Sequence, residues 1–307
     1  MGVLRIMSDG IRKVLSIQSH VVSGYVGNKS ATFPLQLLGF EVDGINSVQF
    51  SNHTGYGYWK GQVLNESQFG DLMNGLRSNG LDNYSHLLTG YIGSESFLLR
   101  VVDVVRHLRK VNRNLVYVCD PVLGDNGHMY VPKEMLPLYR DRIISLSNIL
   151  TPNQFEAELL TGEKINNLDD AVRAMKLLHA KGCDIVVLSS SDFGSEDHLL
   201  ALASSHINGK RKSVVIKIPR FKQHFTGTGD LFTALFLAWM SRTQNDLKTS
   251  MEKTIATMQT VLKKTVDYSE GLEIENSSSR KFELRLIQSK VDIENPNVVI
   301  KAEVLQT

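Results

Sequence analysis

Short apolar runs alternate with stretches of helical period along most of the chain. Val14 to Gln18 predicts a buried strand, Asn28 to Leu38 a helix, Glu41 to Gln49 a second strand and Glu66 to Arg77 a second helix. After a short strand at His86 to Thr89, Phe97, Val101, Val104 and Leu108 share one face of a helix over Ser94 to Lys110. Leu115 to Cys119, Asn148 to Leu150 and Asp184 to Leu188 continue the strand series. Between the last two, Ala171, Met175 and Leu178 form a helical stripe, with Asn167 and Asp170 as a capping pair and Gly182 closing the helix. Leu199 to Ile207 and Val214 to Ile218 fit a hairpin turning at Asn208-Gly209. Gly229 to Trp239 and Asp246 to Val266 fit two more helices, and Val298 to Val304 a last strand. The polar stretch Glu273 to Arg280 fits a loose loop.

This alternation predicts an α/β fold, with a mostly parallel central sheet and helices on both faces. A chain of 307 residues can form one domain or two. No linker, repeat or low-complexity tract divides it, so one domain over 1–307 is expected, with 1–13 as a loose extension. Lys plus Arg number 34 against 32 Asp plus Glu. A net charge of +2 offers no broad footprint for nucleic acid or an anionic membrane. Two cysteines, Cys119 and Cys183, exclude a disulfide framework and a four-cysteine zinc site, and both read as buried thiols. The longest strongly apolar run, Leu231 to Met240, is about half a membrane span. Met1 to Lys13 has no apolar stretch of signal-peptide length, and Ile6 stands where myristoylation needs Ser or Thr. Cytoplasm is the expected compartment.

Two familiar patterns fail on spacing. Gly24-Tyr-Val-Gly27-Asn-Lys29-Ser30 has two residues between its glycines where a phosphate-binding P-loop has four, and fits a loop-to-helix turn. Asp192-Phe193-Gly194 has neither the glycine-rich lid nor the His-Arg-Asp loop of a protein kinase, and fits a surface turn.

The strongest chemical signal is Phe225-Thr226-Gly227-Thr228-Gly229-Asp230 ahead of an apolar helix. Two glycines at a helix start expose backbone N–H groups where the helix dipole is positive, which suits a transferring phosphate. Asp230 at that mouth can accept a hydroxyl proton, or it can simply cap the helix. In Thr151-Pro152-Asn153-Gln154-Phe155-Glu156, Pro152 suits a helix start and Asn153 and Glu156 lie three apart on one face. A carboxylate plus an amide suits a hydrated magnesium ion beside phosphates, and a capping pair fits equally well. Asp120 and Asp125 lie in one loop after a strand, and Ser189 and Ser190 end another. Ser19, Tyr91, Asp120, Asn153 and Ser189 each follow the C-terminal end of an expected strand, so a parallel sheet gathers them on its ligand-binding edge. The convergence points to phosphoryl transfer.

Several segments in order carry a resemblance to a known family: Val14-Leu-Ser-Ile-Gln-Ser-His20, Asn46-Ser-Val-Gln-Phe-Ser-Asn-His-Thr-Gly-Tyr56, Leu88-Thr-Gly-Tyr91, Val118-Cys-Asp-Pro-Val-Leu-Gly-Asp125, Thr151-Pro-Asn-Gln-Phe-Glu-Ala-Glu158 and Gly227-Thr-Gly-Asp-Leu-Phe232. From about Val14 to Leu305 the chain resembles the pyridoxal kinases of the ribokinase-like superfamily. The resemblance implies transfer of the ATP γ-phosphate to the 5′-hydroxymethyl group of pyridoxal, pyridoxine or pyridoxamine. It implies Asp230 as base, with Gly227, Thr228 and Gly229 as anion hole. Ser19 and Thr54 would meet the polar edge of the pyridine ring, and Val26, Val48, His53 and Tyr91 would shape its pocket. Asp120, Asn153, Ser189, Ser190 and Thr228 would meet ATP, with Phe221 near the adenine and Tyr130 on a closing loop. Asp125, Thr151 and Glu156 would organise Mg²⁺, or another divalent ion such as Zn²⁺, and a monovalent cation such as K⁺. A cytoplasmic homodimer is also implied. Two features depart from the family pattern: the loop Gly124 to Tyr130 is a few residues shorter than in vertebrate relatives, and Phe225-Thr226 replaces an aliphatic pair. The rival readings are a hydroxymethylpyrimidine kinase of the same superfamily and a non-catalytic vitamin B6-binding protein. The Ser51 to Tyr56 segment argues against the first by resemblance, and the intact Asp230 turn against the second.

Overall fold

The computed structural model describes residues 12–193, 195–207, 209–271 and 279–306. The strands are β1 (Lys13–Val21), β2 (Glu41–Phe50), β3 (Gly61–Val63), β4 (His86–Thr89), β5 (Val116–Cys119), β6 (Gly124–Asp125), β7 (His128–Met129), β8 (Ile149–Leu150), β9 (Ile185–Ser191), β10 (His198–Ile207), β11 (Lys210–Pro219) and β12 (Glu303–Leu305). Ten of them form one sheet in the order β12-β11-β10-β9-β8-β5-β4-β1-β2-β3. The run from β9 to β2 is parallel throughout, and antiparallel strands close both ends. β6 and β7 pair separately as a small hairpin.

The α-helices are α1 (Asn28–Leu37), α2 (Glu66–Ser78), α3 (Glu95–Val111), α4 (Met135–Leu138), α5 (Gln154–Thr161), α6 (Leu168–Ala180), α7 (Thr228–Arg242), α8 (Leu247–Glu270) and α9 (Lys290–Glu294). They cover both faces, as the alternating pattern predicts. Phe97, Val101, Val105 and Leu108 of α3 pack with Ala171, Met175 and Leu178 of α6 on one face. Leu231, Leu235, Phe236 and Trp239 of α7 pack with Ala31 and Leu35 of α1 and with Met251 and Ile255 of α8 on the other. α7 is buried continuously from Leu231 to Met240, as expected of a helix apolar on every side. No described helix is long and apolar enough to cross a membrane.

Element boundaries follow side-chain capping. Ser94 caps α3, Asn167 caps α6 through Asp170 N–H, and Asp246 caps α8. β10 and β11 form the expected hairpin, with Gly209 at φ +73°; Asn208 lies outside the described residues. Of the loop expected at Glu273 to Arg280, 273–278 are also outside them, and Arg280 sits in a short 3₁₀ turn. The start of α5 needs a correction. Pro152 does not begin the helix: Asn153 is the N-cap and Gln154 the first helical residue. The pattern shows no sign of β3 (Gly-Gln-Val) or of the β6–β7 hairpin (Gly-Asp and His-Met), which lack the apolar run that marks the equally short β8.

The topology decides where a ligand can sit. From β1 the chain runs outward to β2 and β3, then returns to the other flank of β1 with β4 and continues to β5, β8 and β9. The connection reverses between β1 and β4, and the crevice beyond the carboxyl ends of these strands is the switch point of an open parallel sheet. The β1–β2 register slips between Gln18 and Ser19. The extra residue is Ser47 of β2, whose Oγ donates to the Tyr91 carbonyl oxygen at 2.7 Å beside that crevice.

Candidate active site

The crevice is a cleft of about 530 Å³, within the usual size of small-molecule sites. Two helix starts meet on its floor. Gly227 is the N-cap of α7 at φ +82°, and a Cβ there would stand 2.1 Å from the Tyr25 carbonyl oxygen. Gly27 is the N-cap of α1 at φ +53°, and its Cβ would stand 1.9 Å from the Ser19 carbonyl oxygen. Only glycine lets these two turns approach so closely. Ser30 Oγ donates to the Gly227 carbonyl oxygen at 3.2 Å and ties the turns together. No side chain caps α7, so the first N–H groups of that helix open toward the cleft.

Asp230 lies in that first turn without capping its own helix. Its Oδ2 accepts instead from Gly27 N–H at 2.7 Å. Burial pushes its carboxyl up to about 6, and the Gly27 bond opposes part of that rise. The capping alternative is thereby excluded for this residue.

Glu156 and Asn153 form a capping box. Asn153 Oδ1 accepts from Glu156 N–H at 2.9 Å, and Glu156 Oε2 accepts from Asn153 N–H at 2.9 Å. The two therefore do not present a shared helical face, as their spacing suggests, because one is the cap and the other folds back on it. Glu156 Oε1 also accepts from Leu123 N–H at 2.8 Å and fixes the Asp120–Asp125 loop. Burial raises its carboxyl to about 7 despite three backbone donors. Asp120 is pushed well above the usual carboxylate range by burial, then by Glu156 and Asp230. Thr233 Oγ1, one turn beyond Asp230 on α7, lies 2.8 Å from Thr151 Oγ1 and 3.3 Å from Asp120 Oδ2. Val122, at φ +37°, holds a conformation rare for a β-branched residue, beside these acids.

Of the residues singled out in the sequence, Ser19, Val26, Val48, His53, Thr54 and Tyr91 line one arm of the cleft. Asp120, Asp125, Tyr130, Thr151, Asn153, Glu156, Ser189 and Ser190 line the other, and Gly227 to Asp230 separate the two. Tyr130 follows the β6–β7 hairpin and is 56% exposed, at the cleft mouth. Asn153 Nδ2 holds the hairpin by donating to the Gly124 carbonyl oxygen at 2.8 Å. Phe221 is the exception. It does not line the cleft but meets Phe225, which does, edge to face at 6.0 Å. Asp192 pairs with Arg220 in a turn, consistent with a structural role.

Three residues escape sequence reasoning. Gly27 is legible as a turn but not as a donor to Asp230. Thr233 is one threonine in an apolar helix. Glu283 is remote in sequence, yet it accepts from Tyr25 N–H at 2.9 Å and Tyr56 O–H at 3.0 Å.

A doubly wound sheet with an uncapped helix start, a carboxylate in its first turn and acids on one arm of its cleft suits phosphoryl transfer. The phosphomethylpyrimidine kinase family model matches residues 84–275. The pyridoxal kinase of Bos taurus is 50% identical, with 95% of this chain and 98% of that protein aligned. That of Arabidopsis thaliana is 52% identical over 95% and 94% of the two chains. The solved structure of pyridoxal kinase from Leishmania donovani with ADP and pyridoxamine superposes with a TM-score of 0.89 at 34% identity, covering 96% of this chain and 99% of that one. The chain belongs to the pyridoxal kinase family.

Proposed function

We propose that this cleft transfers the γ-phosphate of ATP to the 5′-hydroxymethyl group of pyridoxal, pyridoxine or pyridoxamine, with Asp230 as the base. The observation that carries the assignment is the Asp230–Gly27 bond, which aims the carboxylate across the uncapped start of α7. The acceptor ring lies in the arm lined by Val26, Val48, His53 and Tyr91, with Ser19 and Thr54 at its polar edge. Asp230 takes the hydroxyl proton as that oxygen bonds to phosphorus. The bond from phosphorus to the β-bridging oxygen breaks, and ADP leaves. N–H groups at Gly227, Thr228 and Gly229 stabilise charge on the transferring group. Asp120, Asn153, Ser189, Ser190 and Thr228 hold the nucleotide, and Tyr130 covers it.

The acid arm fits hard cations. Asp125, Thr151 and Glu156 offer oxygen only, and Asp120 and Glu156 are buried together on this arm. Among the described residues no three acidic, histidine or cysteine side chains converge on one point. That suits an ion completed by phosphate and water, with Mg²⁺ or another divalent ion such as Zn²⁺, and K⁺, as the candidates. Such ions would neutralise phosphate charge. Loss of activity in Glu156→Ala that excess Mg²⁺ partly restores supports this; unchanged Mg²⁺ dependence assigns Glu156 to the loop alone.

A cytoplasmic homodimer without nucleic-acid or membrane partners accompanies this reading. The matching family model is described as phosphomethylpyrimidine kinase, and hydroxymethylpyrimidine is the alternative acceptor to test. Phosphorylation of both compounds with ATP, followed by absorbance and chromatography, decides between them. Faster turnover of pyridoxal is expected; preference for the pyrimidine, or no product from folded protein, overturns the assignment.

A further inference from the structure

Residues 279–283 follow helix α8 and pack against the acceptor arm of the cleft. Ser279 Oγ donates to the Gly55 carbonyl oxygen at 2.8 Å. Phe282 meets Phe225 edge to face at 5.9 Å. Glu283 is the centre of the contact. Its Oε2 accepts from Tyr25 N–H at 2.9 Å, and its Oε1 accepts from Tyr56 O–H at 3.0 Å and lies 3.4 Å from His53 Nε2. Gly24, at φ +98°, leaves room for the carboxylate; a Cβ there would stand 2.3 Å from Oε1.

The hydrogen bonds around His53 fix its proton. Nδ1 accepts from Gly55 N–H at 3.2 Å, so in the neutral ring the proton sits on Nε2, toward Glu283. The ring is buried, tilts against Tyr56 at 4.8 Å and lines the cleft. Glu283 itself does not line it. Burial alone would raise its carboxyl, but His53, Tyr25 N–H and Tyr56 together hold it below the usual range.

The same carboxylate therefore grips two segments of the acceptor arm. One is the His53–Tyr56 turn. The other is the Gly24–Gly27 turn, whose last N–H holds Asp230. We propose that Glu283 is a positioning residue for the acceptor pocket, fixing His53 as its Nε2–H tautomer and the Gly24–Gly27 turn against the base. This rests on reading His53 as a wall of that pocket.

Glu283→Gln tests it. One glutamine oxygen can keep Tyr25 N–H, but the amide NH₂ then faces the donors Tyr56 O–H and His53 Nε2–H. The expected result is a rise in KM for pyridoxal of roughly tenfold, on the scale of one charge-assisted hydrogen bond, with KM for ATP within about twofold of the parent. Imidazole ¹⁵N spectra of the parent should show His53 as the Nε2–H tautomer, and this signature should be lost in Glu283→Gln. His53→Ala separates the two levels of the argument. If it leaves KM for pyridoxal unchanged, the pocket reading fails. If it raises that KM and Glu283→Gln does not, the positioning role fails alone. A parent spectrum with the proton on Nδ1 overturns the role even if the glutamine variant does not fold.

Discussion

Asp230 accepts its one backbone hydrogen bond from Gly27, 203 residues away, rather than from its own helix. The base proposed above is thus oriented by the start of α1, and the hydrogen bond joins the two helix starts. The first consequence concerns Asp230→Asn. The amide oxygen can still accept from Gly27 N–H, so fold and ligand binding should persist. Turnover should fall by roughly 10²–10⁴, the usual worth of a general base. Because burial works against the carboxylate, removing the charge should also stabilise the protein by about 1–3 kcal/mol, seen as a rise in Tm. Near-normal turnover in a folded variant removes Asp230 from the base role.

The same residue sets opposite pH trends for activity and stability. Its carboxyl titrates near 3.8 in the unfolded chain and at about 6 in the fold. Between these values the folded state binds the extra proton, so its contribution to stability is present below about 4 and is lost as pH rises through 6. Activity needs the ionised form, so kcat/KM should climb over that window and level above it. Thermal unfolding and kinetics from pH 4 to 8, with Asp230→Asn as reference, check both. An identical pH profile of Tm in parent and variant contradicts the raised value.

Thr233 joins the base helix to the acid arm. Its side chain is 1% exposed and its hydroxyl reaches both Thr151 and Asp120. Thr233→Val keeps the shape and leaves two buried polar groups short of a partner, at a cost of about 1–3 kcal/mol. KM for ATP should rise and kcat should fall. Thr233→Ser keeps the hydroxyl and should restore most of both. Equal behaviour of the two variants reduces Thr233 to packing.

Strand positions are legible in the sequence, although β1 and β9 run on to Val21 and Ser191, so Ser19 and Ser189 lie within strands rather than after them. β4 is continuously buried and appears where expected, and Asp120, Asn153 and Ser189 gather at one edge because parallel strands share a direction. The local pattern also finds the cap at Asn167. It fails where a residue acts through a distant partner. Glu283 meets Tyr25 across 258 positions, and Thr233 meets Asp120 across 113. Neither contact leaves a periodic trace, because the sheet order creates both. Asn153 and Glu156 fail differently: a capping pair and a metal-binding pair have the same spacing, and only the backbone partners distinguish them.

The two glycines of the α7 start make the sharpest contrast. Gly227 has φ +82° and no room for a Cβ beside the Tyr25 carbonyl. Gly227→Ala must either strain that residue or part the α1 and α7 turns, at a cost of about 2–4 kcal/mol. Separation of the turns would also release Asp230 from Gly27, so activity should fall with stability. Gly229 has no such strain, and its Cβ would meet Asp120 Oδ2 at an ordinary 3.4 Å. Gly229→Ala should therefore unfold within a few degrees of the parent while placing a methyl group beside the N–H groups proposed to receive phosphate. Its kcat should drop by roughly tenfold or more if those groups stabilise the transferring phosphoryl. Parent-like kcat in Gly229→Ala, with loss of stability confined to Gly227→Ala, would make the glycine pair a folding device and move phosphate stabilisation elsewhere in the cleft.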